Sequence, residues 1–171
     1  MTFNKDLYKK KFNELLEDGL IVESNSRFKI NLFMKKAESS FMIAKFHENP
    51  PKEPDKIYWY YWAITIAYYS MLYSAKAAIL SKGYEVKTHE AAEIALGTLL
   101  IPSELEKEDL ELLDQAHKIF EDEYVKYFHD ARNESSVARY KARPSYTERQ
   151  LKKILEDARL FISKISLILE E

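Results

Sequence analysis

The sequence contains no cysteine. That absence removes disulfide bonds, thiolate nucleophiles and cysteine-ligated zinc together. Glycine is nearly as scarce, with 3 residues in 171, alongside 5 prolines; long helices and few tight turns are expected. No glycine-rich phosphate loop, serine nucleophile elbow or His-Glu-x-x-His run occurs. The net charge is only −2, so the whole molecule offers no field that would draw in nucleic acid, and any such site has to be local. The opening residues, MTFNKDLYKKKF, lack the apolar stretch of a signal peptide, which makes the cytoplasm the expected location. Asn133-Glu134-Ser135 fits the glycosylation pattern and is read as chance for the same reason.

What the chain has in quantity is aromatic residues, and they gather in one place. From Ile57 to Leu80 the sequence reads IYWYYWAITIAYYSMLYSAKAAIL, uncharged from Ile57 through Ala75. A helix apolar on every side is enclosed either by other helices or by lipid. Tyr58, Tyr60, Tyr61, Tyr68, Tyr69 and Tyr73 are spread along it, whereas tyrosines flank a membrane span rather than fill it. A buried central helix, with no membrane partner, is therefore predicted.

The rest of the chain supplies its neighbours. Lys5 to Asp18 reads as a first helix, with Leu7, Phe12, Leu15 and Leu16 as its apolar side and Gly19 as its stop. LIVESNSRF is a connector or a short extended piece. Leu32, Phe33, Ala37, Phe41, Ala44 and Phe46 recur at helical spacing between Lys29 and His47. The prolines of NPPKEPD end that helix, and Asp55 is placed to cap the central one. Beyond the central helix, Gly83 suits a left-handed C-cap, and Thr88 caps a short helix reaching about Leu100. Ser103 and Glu106 form a capping-box pattern before a fifth helix from about Glu104 to Arg132, and Thr147 with Gln150 form another before the last. No strand-like alternation of any length is present. The expected architecture is all-α: one domain over residues 1–171, an antiparallel bundle of about five to six helices around the aromatic one. Residues 1–28 form an N-terminal helix and connector, and 29–171 the core bundle.

Between Arg132 and Arg149 the charge balance shifts: Arg132, Arg139, Lys141, Arg143 and Arg149 stand against Glu134 and Glu148, with Tyr140 and Tyr146 interleaved. Guanidinium forks suit phosphate oxygens and tyrosine rings stack on bases. From the residues alone, a nucleic-acid or nucleotide contact and a solvated loop paired with acidic helix faces both remain open. Asp114 and His117 have the spacing of half a dinuclear carboxylate site, and His89 with Glu93 lie one turn apart. The second Glu-x-x-His is missing, so no metal site is expected. His89 and His117 are read as packing or core hydrogen-bonding residues, and His47 closes the second helix without an identified companion.

Ala67 to Ala92, AYYSMLYSAKAAILSKGYEVKTHEAA, resembles the signature of the HEPN family: a tyrosine- and alanine-rich helix, then SKG, then a Lys-Thr-His turn opening a short helix. The resemblance extends over roughly residues 30 to 169 and includes ARNESSVARY, which sits where the family has its functional loop. It implies a small helical domain of nucleotide-binding and toxin–antitoxin proteins. It also implies a homodimer without a cofactor, RNA or a nucleotide as ligand, and a nucleotidyltransferase-type antitoxin as partner. Ribonucleolytic members carry an arginine and, after four to six intervening residues, a histidine, and cut RNA without metal. Arg132 matches the arginine, but Arg139 stands where the histidine is expected, followed by Tyr140. Imidazole exchanges a proton near neutral pH, whereas guanidinium stays charged and cannot act as a base. His129, three residues before Arg132 on a continuing helix, is the candidate to fill that gap. The resemblance thus implies catalytic candidates Arg132, His129 and Tyr140, and binding candidates Arg132, Arg139, Tyr140, Lys141 and Arg143. Two functions follow: a non-catalytic nucleotide- or RNA-binding component, or a ribonuclease toxin.

Overall fold

The computed structural model describes residues 4–50, 56–101, 103–117 and 148–170, apart from the side chains of 56–58 and 61. Helix α1, Lys5–Glu17, begins where the Asn4 side chain accepts the Leu7 N–H. It ends at Gly19, whose φ of 65° only glycine adopts without strain. Strand β1, Ile21–Glu23, follows, and helix α2, Arg27–Phe46, is capped by Ser26. The central helix α3, Lys56–Ser81, ends at Gly83, with φ 90°. Strand β2, Tyr84–Val86, leads to helix α4, His89–Leu99, capped by Thr88 through the Ala91 N–H at 3.1 Å. Residues 107–117 belong to helix α5, and helix α6, Glu148–Glu170, closes the described chain.

The molecule is the expected all-α bundle around α3. This helix packs most extensively on α2, then on α6, and also touches α4 and β2. Small residues make that close approach possible: Ala63, Ala67, Ala75 and Ala78 are fully buried, between the larger Ile64, Tyr68, Met71 and Ile79. Ser70 and Ser74 are buried too and donate to the carbonyls of Ala67 and Met71 at 2.6 and 2.8 Å, so neither hydroxyl is left unsatisfied. Trp62–Ser81 is long and apolar enough to cross a bilayer, yet 78% of it is buried inside the bundle. It is a core helix.

Several details depart from expectation. The connector and the turn after α3 pair as a small antiparallel ribbon, with Ile21 opposite Val86 and Glu23 opposite Tyr84. Three-residue strands are too short to show a period of two. Glu85 of this ribbon accepts from Lys29 at 2.7 Å and Ser24 at 3.3 Å, and the Lys29 ammonium holds its carboxyl below the usual range. On α1 it is Tyr8, with Phe12 and Leu15, that is buried, while Leu7 is exposed. On α2, Ala37 and Ala44 face the core, whereas Leu32 and Phe46, expected inside, face outward. The Ser103–Glu106 box does not form: Ser103 donates to the Leu100 carbonyl, and Asp109 accepts the Glu106 N–H at 2.8 Å. The cap thus lies one turn later, at the start of α5. Asp55 and Thr147 lie outside the described residues.

His47 does have companions. Its ring stands 4.5 Å from that of Trp59, and the Trp59 Nε1–H donates to the His47 carbonyl at 2.7 Å. These contacts fasten the end of α2 to α3.

Candidate functional site

Arg132, His129, Arg139, Tyr140, Lys141 and Arg143 all lie outside the described residues. What the structure does show is a polar cluster where α1, α3, α4 and α5 meet, built from residues that stand far apart in sequence.

The Thr88 cap fixes the first turn of α4 and with it His89. Across from it, α5 presents His117, and His89 Nδ1 stands 3.2 Å from His117 Nε2. Such a contact needs one ring nitrogen to donate and the other to accept, so the acceptor nitrogen carries no proton. Tyr68 of α3 stacks on His117, with centroids 5.6 Å apart and planes 19° from parallel, and meets His89 edge-on at 5.5 Å. Tyr69 approaches His89 from the side, at 6.1 Å. Two imidazoles are therefore packed among tyrosine rings at the head of the bundle.

Carboxylates complete the cluster. Glu93 lies one turn beyond His89 on α4, and Asp114 one turn before His117 on α5; together with Tyr68 and Leu113 the four line one small cavity. Tyr8 of α1 donates its hydroxyl to Glu93 at 2.9 Å. Burial first, then the carboxylates of Glu93 and Asp114, push the Tyr8 phenol well above its usual range, so it remains a donor across the ordinary pH scale. Outside this wall, Leu7, Tyr8, Lys11, Glu90, Glu93, Ile94 and Asp114 line a cleft of about 410 Å³, with Lys11 3.7 Å from Glu90.

The two carboxylate–histidine spacings seen in the sequence, His89 with Glu93 and Asp114 with His117, thus converge on one place. Among the described residues, however, no group of three or more His, Asp or Glu side chains is arranged to hold a metal ion. One Glu93 oxygen accepts from Tyr8, and the imidazoles face one another. The cluster can fix tautomers and pass a proton between its rings; it is also the packing joint between α4 and α5. Tyr8 was missed in the sequence, although its four- and three-residue spacing to Phe12 and Leu15 marks it as part of the buried face.

Compared with known families, residues 31–168 match the family model described as HEPN domain. No curated protein matches the chain.

Proposed function

The chain belongs to the HEPN domain family, and from that membership, which supports a nucleotide- or RNA-related function in general, we propose that it is a non-catalytic nucleotide- or RNA-binding protein. In this reading it acts as a homodimer and as one component of a toxin–antitoxin-type pair with a nucleotidyltransferase partner. The single observation that carries the proposal is the segment from Arg132 to Arg143 inside the matched region: three arginines, one lysine and one interleaved tyrosine, Tyr140, within twelve positions. Arginine forks recognise phosphate oxygens in pairs, and a tyrosine between them stacks on a base.

Binding is favoured over cleavage by one residue. Arg139 stands where ribonucleolytic relatives are expected to hold an imidazole, and a guanidinium has no proton to exchange at neutral pH. The chemistry of proton removal is then left to His129, three residues before the segment, because Arg132 to Arg143 holds no imidazole of its own. The test is incubation of the purified protein with end-labelled RNA in excess chelator. Binding without cleavage, weakened at least tenfold in Arg132→Ala, is the expected result. Metal-independent cleavage lost in Arg132→Ala and in His129→Ala would establish the ribonuclease instead.

A further inference from the structure

Helix α2 carries two apolar faces, and the described residues pack on only one of them. Ala37 and Ala44 are fully buried, and Phe33 stacks with Tyr73 of α3 at 6.4 Å. On the opposite side of the helix lie Phe28, Leu32, Lys35, Ser39, Met42 and Phe46, spaced four, three, four, three and four residues apart. At 3.6 residues per turn these six form one straight stripe, the seam of a coiled coil. All six are exposed, with Phe28 at 76%, Met42 at 72% and Phe46 at 76%. Exposed rings and aliphatic side chains arrayed along a seam are a partner surface rather than scattered surface residues.

We infer that this stripe is the homodimer interface, with α2 packed antiparallel on α2 of a second copy about a two-fold axis level with Ala37. The inference deepens the homodimer proposed above and rests on it. A two-fold interface is self-complementary, residue i meeting j while j meets i, and the stripe reads the same in both directions. From either end it runs ring, aliphatic, hydrophilic, hydrophilic, aliphatic, ring. In the antiparallel register Phe28 meets Phe46 of the second copy, Leu32 meets Met42, and Lys35 meets Ser39. The charges agree as well. At about 100° per residue Glu38 and Lys35 fall on the same side of the seam, and in this register the Glu38 of each copy lies within one residue, about 1.5 Å, of the level of Lys35 of the other. Both are exposed, and neither has an ion-pair partner among the described residues. Parallel pairing fails on the same count, because it sets Lys35 against Lys35 in the middle of the seam. With roughly 150–250 Å² for each aromatic side chain, the stripe supplies on the order of 500 Å² per protomer. That is the larger part of the ~800 Å² per partner usual in stable complexes.

The natural absence of cysteine makes the register directly readable. Leu32→Cys and Met42→Cys are to be prepared separately, and their mixture oxidised. A disulfide between the two variants, with none in either alone, is expected, because in the antiparallel pair each position is about 15 Å from its own copy, ten residues along a helix. Light scattering at micromolar concentration is expected to give a dimer for the wild type. Phe28→Glu and Phe46→Glu should each weaken it at least tenfold with an unchanged helical circular dichroism spectrum. Lys35→Glu and Glu38→Lys should each loosen it and in combination restore it. A dimer indifferent to Phe28→Glu and Phe46→Glu, or a disulfide in Leu32→Cys alone, overturns this interface while leaving the homodimer in place. A monomeric wild type overturns both, leaving the face to a different protein. RNA binding measured on the same samples reports separately on the arginine segment.

Discussion

At the scale of single residues, the polar cluster depends on hydrogen bonds that few other side chains can make. Tyr8 is the plainest case, since Phe would fill the same space and lose only the hydroxyl. Tyr8→Phe removes the donor to Glu93 and is expected to cost about 1 kcal/mol at neutral pH, read as a lowered urea midpoint with unchanged slope. The pH dependence has a definite sign. Because the folded phenol holds its proton more tightly than the unfolded one, its contribution is complete below the unfolded pKa of about 10 and is lost as pH rises beyond it. Wild-type stability should fall on this account above about pH 10, and Tyr8→Phe should lack that component. His117 matters through its ring: it stacks on Tyr68 and bonds to His89. His117→Ala is expected to destabilise by about 2–4 kcal/mol through the lost ring packing on Tyr68 and the lost bond to His89, measurable by the same denaturation series. Sequence spacing showed each histidine beside its carboxylate. It could not show that α4 and α5 bring both pairs together, because residue 89 and residue 117 meet only through tertiary packing.

At the scale of elements, the caps and the small residues determine how closely the helices approach. Thr88 holds the first turn of α4 and thereby the position of His89. Thr88→Ala should cost about 1 kcal/mol and, unlike a remote cap, should also alter the His89 ring environment seen by NMR. The helices were legible because their signals are local: Ser26 and Thr88 before the first turns, Gly19 and Gly83 after the last, and an unbroken apolar run for α3. The Asp109 cap was obscured by the better-known pattern at Ser103, one turn upstream. Faces were harder to assign where both sides of a helix are apolar. Leu32 and Phe46 fit a core stripe by spacing as well as Ala37 and Ala44 do, and only the shape of the neighbouring α3, which admits methyl groups at close range, decides that the alanines go inside.

For the whole molecule, burial of an aromatic helix within a compact bundle is what allows a chain of 171 residues to present chemistry at its margins. The polar joint lies at one margin, and the second apolar face of α2 is exposed along the bundle's side. The arginine segment has the local positive charge that the overall charge of −2 does not. Its composition was legible from the sequence alone. Whether it grips phosphate is a matter of electrostatics in solution, and salt reports on that directly. The most direct measurement is the affinity for a labelled single-stranded RNA as a function of salt concentration, in chelator, for wild type and Arg139→Ala. Up to four contacts, from Arg132, Arg139, Lys141 and Arg143, predict a logarithmic slope approaching about −2.8, at roughly −0.7 per phosphate neutralised. Arg139→Ala should flatten it by about 0.7. Binding without salt dependence, or a slope the same in both proteins, would contradict the assignment of this segment to the phosphate backbone.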